Sequence, residues 1–151
     1  MILVDTNIPL RIAQVGHPHR QPALDALDLL TLRDRESFAI SPQSLYEMYV
    51  VCTRPISSNG FGYTPQEAAN EIAATRAVFS FSTEPLQIYP VWEVLVVKHA
   101  VHGKQAHDAR LVAFMIQHSI TKILTFNDAD FRRYDEIQTL NPFDVLAIPR
   151  I

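Results

Sequence analysis

One cysteine, four glycines and no long apolar run set the first limits on this 151-residue chain. With Cys52 alone, no intrachain disulfide can close and no cluster of zinc-binding thiolates can form. Cys52 reads instead as a small core residue. The few glycines leave no GxGxxG fingerprint, no Walker phosphate loop and no GxSxG nucleophile elbow. Apolar stretches such as Val94 to Val97 fall far short of the ~20 residues that span a bilayer. Met1-Ile2-Leu3-Val4 meets Asp5 too early for a signal peptide. No membrane partner and a cytoplasmic location are therefore expected. A basic excess is missing too, the formal net charge being −3. That counts against a nucleic-acid ligand, unless the acids surround a cation that reverses the local sign.

What is present is globular, with 48% hydrophobic and 19% charged residues. The length suits a single domain, residues 1–151. No repeat or linker interrupts it, and Ser57 to Gly62 reads as a loop inside the domain. Short apolar runs alternate with helical patterns. Strands are expected at Ile2 to Val4, Phe38 to Ile40, Leu86 to Tyr89, Lys122 to Phe126 and Val145 to Ile148. Helices are expected from Pro9, and from Pro22 through Leu24, Leu27 and Leu30. Ser41-Pro42 supplies an N-cap and first-turn proline for a helix through Leu45, Met48 and Val51. Thr64-Pro65-Gln66-Glu67 is a capping box opening a helix to about Phe79. Two more helices are expected over Trp92 to Val101 and Gln105 to His118. Strands separated by helices require crossovers, so the fold class is α/β: a five-stranded parallel sheet flanked by helices.

The positions of the acids carry the functional signal. Asp5 follows the first strand, Glu47 lies in the helix entered from the second, and Asn127, Asp128 and Asp130 follow the fourth. Asp108 sits in the helix leading into that fourth strand. Ligands of a parallel sheet bind outside the carboxyl ends of its strands. Asp5, Glu47 and the 127–130 group would project there, and Asp108 would join them if the start of its helix packs over the same edge. Each acid also has a plain structural reading, as a turn, cap or surface charge. Together they suggest a site for Mg²⁺ or Mn²⁺, which prefer hard carboxylate oxygens.

Four segments resemble the PIN-domain family. Met1-Ile2-Leu3-Val4-Asp5-Thr6-Asn7 resembles its opening strand, and Ser41-Pro42-Gln43-Ser44-Leu45-Tyr46-Glu47 its second strand's exit into a Glu-bearing helix. His107-Asp108-Ala109-Arg110-Leu111-Val112-Ala113 is similar to the segment carrying the third acid, and Ile123 to Phe131 to the closing motif. They occur in order and span residues 1 to 131. The resemblance implies strand order 3-2-1-4-5 and a metal-dependent ribonuclease of the VapC toxin kind. It implies Asp5, Glu47, Asp108 and Asp130 as catalytic residues, with Asp5, Asp108 and Asp130 on the metal, and Glu47 or Asp128 as further candidates. Thr6, Asn7, Thr125 and Asn127 would orient carboxylates or phosphate. Lys104, Arg54, Arg110, Arg132 and Arg133 are candidates for the RNA backbone.

A toxin role implies a small antitoxin whose helical tail lies in an apolar groove. Tyr46, Tyr49 and Val50, or Phe79 and Phe81, could form that groove or simply pack in the core. A homodimer would widen a shallow RNA channel. Two alternatives stand beside this reading. One is a zinc-dependent hydrolase using His99, His102 and His107; the other is a non-catalytic PIN-fold binding module.

Overall fold

A computed structural model describes residues 1–147 of the chain. Five short strands form one parallel sheet: β1 (Ile2–Val4), β2 (Phe38–Ile40), β3 (Ser80–Phe81), β4 (Lys122–Leu124) and β5 (Gln138–Leu140). Their spatial order is β3-β2-β1-β4-β5, as the resemblance implies, with β1 at the centre. Leu3 lies beside Ala39 on one side and Ile123 on the other.

The alternation of strand side chains assigns two cores. Leu3, Ala39 and Ile123 face one layer, packing with Leu95, Val112 and Met115. Ile2, Val4, Ile40 and Leu124 face the other, against Ala23, Ala26 and Leu30. The helices of the first layer are α5 (Ile88–Lys98) and α6 (Ala106–Gln117). The second is built chiefly by α2 (Arg20–Asp34) and α8 (Pro142–Ala147). The remaining helices are α1 (Asn7–Ala13), α3 (Pro42–Thr53), α4 (Pro65–Val78) and α7 (Asp128–Phe131). Burial on both faces explains why the central strands are uninterrupted apolar runs.

The local signals for helix starts hold. Ser41 Oγ accepts the Ser44 N–H at 3.0 Å, with Pro42 in the first turn of α3. Thr64 and Glu67 cap each other reciprocally at the start of α4. Cys52 is fully buried in a small third cluster with Leu10, Met48 and Ala68, and burial pushes its thiol up to about 11.

Two strands lie elsewhere than expected. The third is Ser80–Phe81, and the run from Leu86 to Tyr89 instead leads into α5, which begins at Ile88. The fifth is Gln138–Leu140, while Val145 to Ala147 belong to α8; the expected strand's Ile148 lies outside the described residues. Short apolar runs do not separate buried strand from helix. Pro142 is accepted in the first turn of α8, where no intrahelical N–H bond is lost. Both edge strands carry few buried residues, so they leave little hydrophobic pattern.

Candidate active site

The cleft forms at the carboxyl end of the sheet. Asp5 directly follows β1, and its N–H still pairs with the Leu124 carbonyl at 3.0 Å. Its carboxylate is almost wholly inside the protein and accepts three bonds. Oδ1 receives the Thr6 N–H at 2.7 Å, while Oδ2 receives the Asn7 amide at 2.7 Å and the Thr125 hydroxyl at 2.6 Å. Thr125, fully buried after β4, also accepts from Asn7 Nδ2 at 2.9 Å and from the Asn127 N–H at 3.0 Å. Asn7 closes the network by accepting the Phe126 N–H at 3.1 Å.

Glu47 reaches the cleft from α3. Its Oε2 accepts the Thr6 hydroxyl at 2.7 Å, and its Oε1 accepts from Gln43 at 2.9 Å. Gln43 sits one turn earlier on the same helix face. It also donates to the His107 carbonyl at 2.9 Å and accepts from Arg110 at 3.0 Å. Gln43 therefore fastens α3 to the first turn of α6, where Asp108 lies. The Trp92 indole secures that turn from the other side, donating to the Ala106 carbonyl at 2.8 Å. The condition for Asp108 to join the other acids is met.

Asp5, Glu47, Asp108 and Asp130 line one cleft of about 190 Å³, with Thr6, Asn7, Asn127, Leu10 and Phe131 completing its walls. Four segments remote in sequence thus contribute one acid each. Their mutual repulsion adds to desolvation. Burial first, then Glu47 and Asp130, raises Asp5 to about 6 against the bonds from Thr125 and Thr6. Burial first, then Asp130, Asp5 and Glu47, raises Asp108 to about 7, and Arg133 partly opposes this. Two carboxyls that resist ionisation beside two others mark a place where a cation would relieve the stored repulsion. Every polar lining group offers oxygen, apart from amide nitrogens, which suits Mg²⁺ or Mn²⁺.

Other candidates fall outside the cleft. Asp128 points away: its carboxylate is held by Asn141 at 2.9 Å and by Arg132, which keeps it below the usual carboxylate range. It borders a separate cavity with Tyr134 and Thr139. Its suggested role as a metal ligand is corrected accordingly. The three histidines do not converge. Among the described residues, the one tight group of candidate ligands is His99 with Asp135 and Glu136, and Lys98 already pairs with both acids there. His102 and His107 are exposed beyond the end of α5, separated by Gly103 at φ +58°.

Among the arginines, Arg110 is engaged by Glu84 and Gln43, and Arg132 by Asp128. Arg133 acts on Asp108 electrostatically, while Lys104 is exposed. Tyr46 and Val50 are exposed on α3, whereas Phe79 is buried. Phe79 closes an apolar cavity of about 200 Å³ with Ile12, Leu24, Leu27 and Val78. Sequence reasoning missed Leu10, Phe131 and the positioning role of Gln43. Only the last had a signal, its i, i+4 spacing from Glu47.

Comparison with known proteins finds relatives that match most of the chain. The family described as PIN domain matches residues 2–137. Ribonuclease VapC13 of Mycobacterium tuberculosis is 32% identical over 148 residues, covering 93% of this chain and 99% of the relative. Among solved structures, VapBC2 of Rickettsia felis bound to a DNA fragment from its promoter superposes with a TM-score of 0.70. It is 15% identical and covers 93% of this chain and 98% of that one. A toxin–antitoxin complex from Klebsiella pneumoniae gives a TM-score of 0.64 at 20% identity, covering 94% and 98% respectively.

Proposed function

The chain belongs to the PIN-domain family, and on that premise we propose that it is a Mg²⁺- or Mn²⁺-dependent endoribonuclease, the toxin of a toxin–antitoxin pair. One observation carries the reading: Asp5, Glu47, Asp108 and Asp130 arrive from four separate segments at a single cleft. The relative named a ribonuclease supports RNA as the substrate.

Asp5, Asp108 and Asp130 would hold the ion, with Glu47 at the rim as a further ligand or as the base. When bound, the ion offsets phosphate charge and acidifies water. The chain's own residues do the rest. Thr125 and Asn7 fix the rotamer of Asp5, and the Thr125 bond favours its ionised form against the effect of burial. Thr6 and Gln43 hold Glu47 where it can accept a proton from the attacking water. Leu10 and Phe131 supply apolar walls that strengthen these interactions.

The solved toxin–antitoxin neighbour supports a small antitoxin as partner, and a homodimer is consistent with the exposed apolar residues of α3 and α5. No helix among the described residues is long and apolar enough to cross a membrane, which suits action in the cytoplasm.

The test is cleavage of single-stranded RNA by the purified protein. Mn²⁺ or Mg²⁺ should support cleavage, and a chelator or Asp5→Asn should abolish it. RNA left intact with either ion, or activity that follows tightly bound zinc, overturns the reading.

A further inference from the structure

We propose that a groove between the α1–α2 loop and the α3–α4 loop is a subsite that stacks bases of single-stranded RNA entering the acidic cleft. The proposal rests on the ribonuclease reading above. The groove is shallow and open to solvent, with a volume of about 580 Å³, and Gln14, Val15, His17, Phe61 and Tyr63 are among its walls. That volume lies within the range of small-ligand sites, about 300–1,000 Å³.

Its chemistry suits nucleobases. Phe61 and Tyr63 are half-buried, with ring centroids 5.4 Å apart at 65°. One side of the pair packs on the cluster of Leu10, Met48 and Cys52. The other borders the groove. His17 stands in the same groove, with its Nδ1 accepting the His19 N–H at 3.0 Å. The neutral ring then carries its proton on Nε2, a donor for a base edge. Burial and the nearby Arg11 lower the basicity of His17, which favours that neutral form. Arg11 is held against the groove wall by its 2.6 Å bond to Gln14, within reach of a phosphate.

The aromatic pair is preorganised. Phe61 N–H bonds to the Val51 carbonyl at 3.0 Å, and Tyr63 N–H to the Cys52 carbonyl at 2.8 Å. Two glycines permit this close return of the loop onto α3. A Cβ on Gly60 would stand 2.0 Å from the Arg54 carbonyl oxygen, and Gly62 has φ +67°. A rigid aromatic platform loses little entropy when a base lands on it.

The groove also adjoins the cleft. Leu10 lines the cleft and Gln14 the groove, one turn apart along α1, about 6 Å. On the other side His17 contacts His19 edge-on at 5.1 Å, and His19 stacks on Phe126 at 4.7 Å. Phe126 directly precedes Asn127 of the cleft wall. One RNA strand can occupy both.

Charge explains the need for such a subsite. The chain carries a net −3, and Arg110 and Arg132 are already paired with acids. Phosphate neutralisation is therefore a weak source of affinity here, and stacking on aromatic faces is the alternative.

Steady-state cleavage of a short single-stranded oligoribonucleotide tests this. Phe61→Leu keeps the apolar packing but removes the ring, and His17→Gln alters the opposite wall. Each should raise KM about tenfold, equivalent to about 1.4 kcal/mol, and far more than it lowers kcat. Ultraviolet crosslinking of the same oligonucleotide to Asp5→Asn protein should label the peptide holding Phe61 and Tyr63. Wild-type KM in both variants, or crosslinks confined to other peptides, overturns the subsite while leaving the ribonuclease reading intact. If the wild-type protein cleaves no RNA, that reading fails, and the crosslinked peptide alone decides the subsite.

Discussion

The Thr125 hydroxyl donates to Asp5 Oδ2 at 2.6 Å across 120 residues of chain. It accepts from Asn7 and Asn127 at the same time, so every hydrogen-bonding capacity of this buried oxygen is used. Thr125→Val keeps the shape but strands the two donors and releases Asp5. Cleavage should fall ~10–100-fold, the usual cost of losing the group that orients a ligand. Stability should drop by about 1–3 kcal/mol from the unpaired buried groups. Denaturant titration and initial rates check both, and Thr125→Ser should restore most of each.

Asp5 and Asp108 bind protons more tightly folded than unfolded, with values raised from 3.8 to about 6 and about 7. Between the unfolded and folded values the native state carries more protons, so their contribution to stability is full below about 4 and lost as pH rises through 6 to 7. With chelator present, the melting temperature of the wild type should decline relative to Asp108→Asn across that window. Mn²⁺ should restore it near neutral pH and do little in acid, where the carboxyls are protonated. A flat difference between the two proteins from pH 4 to 7 would count against this electrostatic account.

Glu47 is held by Thr6 and Gln43. Glu47→Gln retains the size of the side chain but removes the basic oxygen. The turnover rate should fall about a hundredfold or more, as expected for a lost general base. Melting should change by only about 1 kcal/mol, one hydrogen bond's worth. A rate near that of the wild type would remove Glu47 from the chemistry.

Asp128→Asn tests the boundary of the site. Its carboxylate serves Asn141 and Arg132 and lies outside the cleft. The substitution should leave cleavage within about twofold, while loosening the contact between α7 and the start of α8. A loss comparable to that of Asp5→Asn would return Asp128 to the metal site.

The amino-acid order alone carried the α/β alternation, the central strands and the capped starts of α3 and α4. Ile2-Leu3-Val4 and Phe38-Ala39-Ile40 are apolar because both sheet faces are covered, and Ser41-Pro42 and Thr64 to Glu67 cap helices through bonds only three residues long. The same local character marked Asp5, Glu47 and Asp130 by their places just beyond strands. Tertiary structure decided what depends on distant partners. Ser80–Phe81 is a strand because β2 offers it an edge, and the apolar run that enters α5 is helical because Leu95 and its neighbours pack on α6 and the sheet. Asp108 joins the cleft because Gln43 and Trp92 clasp the first turn of α6. Asp128 leaves it because Asn141 takes its carboxylate. Short-range bonding is written in neighbouring residues; convergence depends on contacts that exist only once the chain has closed.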